Sequence, residues 1–168
     1  MTAPSPRLRR SALYLPASNA RAIDKARGLP ADVVILDLED AVAPEMKAEA
    51  RDRAVQAVRD GGFGRRELVI RINGLDTAWG AEDLAAVAAA GPDAVLAPKL
   101  ERVEQLRALE AGLSEAAFHT ALWGMIETPR AILSLARLAD GAADTRLAAF
   151  VVGTNDLAKA MNARPGAA

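Results

Sequence analysis

The stretch "VVILDLEDAVAP", residues 33–44, joins an aliphatic run to three carboxylates. Val33, Val34, Ile35 and Leu36 are uninterrupted, as expected of a strand buried on both faces in a parallel sheet. Asp37, Glu39 and Asp40 follow at once. A core strand ending in charge is expected where parallel strands carry functional groups at their carboxyl ends. Strand alternation places Asp37 and Glu39 in line with Val33 and Ile35, and Asp40 on the other face.

The same pattern recurs outward from this stretch. Leu13–Leu15, Val33–Leu38, Leu68–Ile72, Ala94–Ala97, Leu122–Ile126 and Ala148–Val152 read as strands. Ala-, Leu-, Arg- and Glu-rich segments with helical periodicity separate them, at 19–28, 45–60, 79–90, 101–112, 129–140 and 155–162. Gly91 suits a helix stop, and Thr128 with Pro129 suits a helix start. A complete (β/α)8 barrel has eight such units in roughly 250 residues. The expected fold is therefore an α/β TIM-type barrel with about six βα units in this chain. An open doubly wound sheet is the alternative. Residues 1–9 are expected to be a flexible tail, and 10–168 one partial barrel domain.

Composition narrows the function. The 168 residues are 51% hydrophobic with a net charge of −1, so no basic footprint for nucleic acid is expected. There is no cysteine, which excludes disulfides and thiolate chemistry and suits a cytoplasmic setting. No apolar run has membrane-spanning length, and "SALYLPAS" is too short and too soon interrupted for a signal peptide.

The strand ends hold the candidate chemistry. Beyond the three acids of strand two, strand three brings Arg71 and Asn73, strand four Lys99 and strand five Glu127. Strand six is followed by Asn155 and Asp156. Alternation groups Val69, Arg71 and Asn73, and points Arg71 to the barrel interior, where a guanidinium requires an acceptor. The acceptor is either a neighbouring carboxylate or an anionic substrate. Glu127 and Asp156 are hard oxygen donors on adjacent strands, a set that suits Mg2+. Each residue also has a structural reading. Asp156 can serve a helix start capped by Thr154 or Asn155. The acids can pair with Arg71 or Lys99, and Lys99 can reach solvent. His119, Trp79 and Trp123 are expected to be surface or packing residues.

The segments "RSALYLPASNARAIDKA", "ADVVILDLEDAVAPEMKAEAR", "VIRING", "LAPKLE", "GMIETPRAI" and "GTNDLA" occur in the order seen in the HpcH/HpaI aldolase family. They most resemble its branch of citrate lyase β-subunit-like CoA-ester lyases. The resemblance runs from about Arg10 to about Ala160. It implies a (β/α)8 barrel in homotrimers or larger assemblies, using Mg2+ on citryl-, malyl- or citramalyl-CoA-type thioesters. It further implies Glu127 and Asp156 as metal ligands and Arg71 as the group holding a substrate carboxylate or carbonyl. By the same resemblance Asp37, Glu39 and Asp40 line the site, and Arg10 grips substrate with the loop after strand one; Lys99 is expected, with Arg10 and Arg71, to bind substrate.

The chain departs from the family in having Ala17 where Gly usually follows the strand-one proline. It also ends before the family's two further βα units. The expected activity is a Mg2+-dependent carbon–carbon lyase. The alternatives are a non-catalytic truncated homologue and a CoA-independent 2-oxo acid aldolase.

Overall fold

The computed structural model describes residues 7–117 and 119–164. Six strands and six helices alternate strictly. They are β1 (Ala12–Pro16), α1 (Ala20–Ala26), β2 (Val33–Asp37), α2 (Lys47–Asp60), β3 (Glu67–Arg71) and α3 (Gly80–Ala90). These are followed by β4 (Ala94–Ala97), α4 (Val103–Gly112), β5 (Ala121–Ile126), α5 (Pro129–Asp140), β6 (Leu147–Val152) and α6 (Thr154–Ala160). Single 3-10 turns at Pro44–Met46 and Gly141–Asp144 lead into α2 and out of α5.

All neighbouring strands are parallel, and their spatial order is β1-β2-β3-β4-β5-β6. A doubly wound sheet reverses its winding direction part-way. Strictly sequential order is the winding of a barrel wall, so the open-sheet alternative falls.

Strand alternation sorts the apolar residues into two layers. Val34, Leu36, Leu68, Ile70, Val95 and Leu122 join helix residues such as Ile23, Ala54, Leu84 and Leu106 in the outer core. Val33, Ile35, Val69, Ala94, Leu96, Trp123 and Met125 form the inner cluster, on the concave side. β2 and β3 are buried at every position because they face both layers. Edge strands β1 and β6 are only partly buried.

Local signals set the helix ends. Thr128 accepts a hydrogen bond from the Ala131 amide and Pro129 occupies the first helical turn of α5. Gly91 ends α3 in the left-handed region, at φ 70°. Neither Thr154 nor Asn155 caps α6, whose N-cap is Gly153.

Of the expected tail, residues 1–6 lie outside the described residues. Arg9 is tied to the barrel: it donates twice to Glu67, at 2.5 and 2.8 Å, and lies 4.8 Å over the Trp123 ring. Arg7 donates to Asp93. These pairs tie Arg7 and Arg9 to Glu67 at the start of β3 and to Asp93 just before β4. Among the described residues, no helix is long and apolar enough to cross a membrane.

Candidate active site

Arg71, the last residue of β3, is paired in register with Asp37, the last of β2. Both point inward, and the guanidinium meets the carboxylate side-on. Nε donates to Oδ1 at 2.7 Å and Nη2 to Oδ2 at 2.6 Å. Both side chains are buried, so the two-point pairing compensates charges that would otherwise be very unfavourable there. Burial works against the Arg71 charge, but the hydrogen bonds to Asp37 and the surrounding acids outweigh it. They hold its pKa above the ordinary arginine value. Nη1 remains, facing Glu39 at 2.8 Å and Asp40 at 3.4 Å.

Asp37 also accepts the amides of Glu39 and Ala41, which bends the chain sharply after β2. That bend corrects the simple parity reading: Asp40 does not point away but approaches Arg71, because alternation stops where the strand ends. Asn73 departs for the same reason. It lies two residues beyond β3 and turns to the helix layer, donating to Leu38 O and to Asp83 of α3.

Glu39 bridges two cations. Its Oε1 accepts from Lys99 Nζ at 2.7 Å, while its Oε2 meets Arg71 as a charge without an aligned hydrogen bond. Burial pushes the Glu39 carboxyl above its ordinary pKa, opposed by Lys99 and Arg71. The hydrogen bond to Glu39 raises the Lys99 ammonium, against some burial.

Glu127 follows β5 directly and is almost wholly buried. Its Oε1 accepts the Lys99 amide at 2.8 Å. Its Oε2 is buried with no hydrogen-bond partner. Burial pushes this carboxyl up as well, with the Lys99 amide acting the other way. Gly153 packs against it closely: a Cβ there would lie 2.7 Å from Glu127 Cβ and 2.8 Å from Oε2. Asp156 stands in the first turn of α6, half-buried, three residues after that glycine.

One network at the carboxyl edge therefore contains Asp37, Glu39, Asp40, Arg71, Lys99 and Glu127, with Asp156 on the adjacent helix start. Arg10 is not among them. It precedes β1, at the opposite end of the parallel strands, where it forms a two-point pair with Asp32 just before β2. A residue at a strand's amino end cannot reach a site built on carboxyl ends, so the expected substrate contact is corrected to a structural ion pair. His119 hydrogen-bonds Gly91 O at that same lower end and is exposed.

Two groups that hold this edge were not singled out in the sequence. Lys47, the buried first residue of α2, donates to Leu38 O, Glu39 O and Asn73 Oδ1 at 2.7 to 2.8 Å. Asp83 is fully buried; it accepts from Asn73 N and Nδ2 and from Arg51 Nε. A lysine and an aspartate on alanine-rich helices resemble solvent-facing charges. Only the pairing of the two helices with the strand ends makes them interior.

Beside the Glu39–Lys99 pair, a cavity of about 830 Å3 runs between the β3–α3 connection and α4. Asn73, Glu101, Gln105 and Thr128 contribute to its walls.

The metal expectation can be tested on the donors themselves. An unpartnered, buried carboxylate oxygen beside a second carboxylate suits a hard divalent cation, which also takes water or substrate oxygens. Among the described residues, no group of three or more His, Cys, Asp or Glu is arranged to hold a metal. Glu127 supplies one donor of that kind, and Asp156 lies three residues beyond the glycine packed against it.

The model of the HpcH/HpaI aldolase/citrate lyase family matches residues 10–166. The chain belongs to this family. It is similar to a (3S)-malyl-CoA thioesterase of Cereibacter sphaeroides, 44% identical over 155 residues, covering 92% of this chain and 52% of the relative. The citrate lyase β subunit of Escherichia coli is 32% identical over 157 residues, covering 89% and 51%. A solved citrate lyase β subunit from M. tuberculosis, complexed with oxaloacetate and magnesium, superposes with a TM-score of 0.72. It is 33% identical, and the match covers 94% of this chain and 65% of that one. The chain spans about half the length of the curated relatives it matches.

Proposed function

We propose that this chain carries the metal and arginine machinery of a Mg2+-dependent carbon–carbon lyase. Its substrate is the CoA thioester of a 3-hydroxy acid, of the citryl-, malyl- or citramalyl-CoA type. The observation that carries the reading is the buried, unpartnered Oε2 of Glu127 in one network with an arginine pinned by Asp37. Membership of the citrate lyase family supports it, as does the magnesium in the M. tuberculosis complex.

In this reading Glu127 and Asp156 hold the ion, which when bound supplies Lewis-acid polarisation and stabilises enolate charge. The chain's own residues do the rest. Asp37 locks the Nε–Nη2 edge of the Arg71 guanidinium, leaving Nη1 to donate to a substrate carboxylate or carbonyl oxygen. Glu39 and Asp40 flank that nitrogen and keep it oriented. In cleavage a base takes the 3-hydroxyl proton as that carbon becomes a carbonyl. The C–C bonding pair passes to the thioester fragment as an enolate whose oxygen needs such a donor, and a proton then returns to the enolate carbon. The cavity beside Lys99 has room for more than a bare hydroxy acid, which favours a thioester with an extended arm.

A second reading, hydrolysis of the same thioester, is favoured by the relative named as a (3S)-malyl-CoA thioesterase. One incubation separates them. With malyl-CoA and Mg2+, lyase activity releases glyoxylate and acetyl-CoA, whereas hydrolysis releases malate and free CoA thiol. We expect glyoxylate, lost by about a hundredfold or more in Glu127→Ala and on chelation. Undiminished turnover in that variant would sink the metal assignment. No product of either kind would favour the non-catalytic homologue.

A further inference from the structure

Lys99 has an unusual backbone for its residue type. Its φ is +48°, in the left-handed region that side chains other than Gly and Asn seldom occupy. The turn is held on its carboxyl side, where Leu100 N donates to Met125 O. Gln105 then ties down the following turn by accepting from the amides of Glu101 and Arg102. Non-glycine residues persist in this region where their surroundings over-determine them, often at functional sites.

The consequence here is specific. The left-handed turn aims the Lys99 amide at Glu127 Oε1, at 2.8 Å, while the side chain of the same residue reaches Glu39 Oε1, at 2.7 Å. Glycine would supply the first contact at no steric penalty but could not supply the second. The geometry points to Lys99 as a two-ended positioning residue rather than a substrate grip. Its amide occupies one oxygen of Glu127 so that the other is presented to the cation, and its ammonium holds Glu39 beside Arg71. This rests on the Mg2+ reading of Glu127. It deepens that reading by assigning the presentation of the ligand to a backbone conformation and not to a charge.

Calorimetric titration of Mg2+ into the 168-residue chain separates backbone from charge through four variants. Lys99→Gly and Lys99→Asn keep the left-handed turn and lose the ammonium. Their Kd is expected within about threefold of the unsubstituted chain. Lys99→Met is expected to behave likewise, because its side chain is no worse suited to the turn. Lys99→Val, β-branched and ill suited to positive φ, is expected to bind about fivefold more weakly or worse. Equal weakening in all four would assign the effect to charge and overturn the proposal, as would wild-type affinity in Lys99→Val.

If the unsubstituted chain takes up no Mg2+, the metal reading fails by itself and hydrogen exchange decides the positioning role. The residue-99 amide should exchange slowly in the unsubstituted chain and in Lys99→Gly. It should exchange at least about tenfold faster in Lys99→Val and in Glu127→Ala. Exchange unaffected by losing the Glu127 carboxylate would overturn the proposal.

Discussion

Glu127 is held in a state that opposes its own ionisation. Its carboxylate is buried, one oxygen has only the Lys99 amide and the other has nothing, and burial raises its pKa. A folded chain that binds this proton more tightly than the unfolded chain loses stability as pH rises from the ordinary carboxylate range through the raised value. Glu39 shifts in the same direction and adds to the effect. Arg71, by contrast, donates to both oxygens of Asp37 in the same site. Without metal, Glu127→Gln is therefore expected to raise Tm by a few degrees at pH 7. That gain should vanish near pH 4, where the wild-type carboxyl is already protonated, and the variant should lose Mg2+ uptake at pH 7. Thermal scans at the two pH values, with and without Mg2+, check this. A lower Tm for Glu127→Gln at pH 7 would mean that the charge is compensated within the chain and that Oε2 is not waiting for a cation.

At the scale of elements, the acid-bearing turn after β2 is held from behind by α2 and α3. Lys47 spends all three of its donors on Leu38 O, Glu39 O and Asn73 Oδ1, and its ammonium sits 5.3 Å from the centre of the Trp79 ring. Burial lowers its pKa, opposed by Asp37, Glu39 and Asp83. Lys47→Met leaves two carbonyls and an amide oxygen without this donor, a loss of roughly 3 kcal/mol. Urea unfolding with an unchanged m-value should show it, together with faster amide exchange over residues 38–42. A loss below about 1 kcal/mol would show that the turn holds without the lysine.

The same elements mark where sequence reasoning reached its limit. Alternation placed Arg71 inward and Asp37 in line with Val33 and Ile35, and both hold because these are paired strand residues whose faces the pleat fixes. It misplaced Asp40 and Asn73 because both lie past the last paired residue. Lys47 and Asp83 left no signal in local pattern, since their partners are 8 to 32 residues away in sequence. The six strand–helix repeats, in contrast, were legible because each strand is a short apolar run and each helix has its own periodicity and punctuation.

For the whole molecule, sequential winding of six parallel strands leaves β1 and β6 each with one unpaired edge among the described residues. Burial falls accordingly. Tyr14 of β1 is 39% exposed and Val152 of β6 is 55% exposed, while β2, β3 and β4 are buried throughout. Ile132 and Leu133 of α5 add exposed apolar surface. Unpaired edges of parallel strands offer main-chain donors and acceptors to any other strand, and apolar side chains beside them strengthen such pairing. The 168-residue chain is therefore expected to self-associate as its concentration rises and to enhance the fluorescence of an apolar dye. Light scattering behind a sizing column and a dye titration measure the two effects. Val152→Lys places a charge on the exposed β6 edge without removing a core residue, so it should shift the distribution towards monomer with little change in Tm. A chain that remains monomeric at all concentrations and binds no dye would show that the β1 and β6 edges are covered from within the chain.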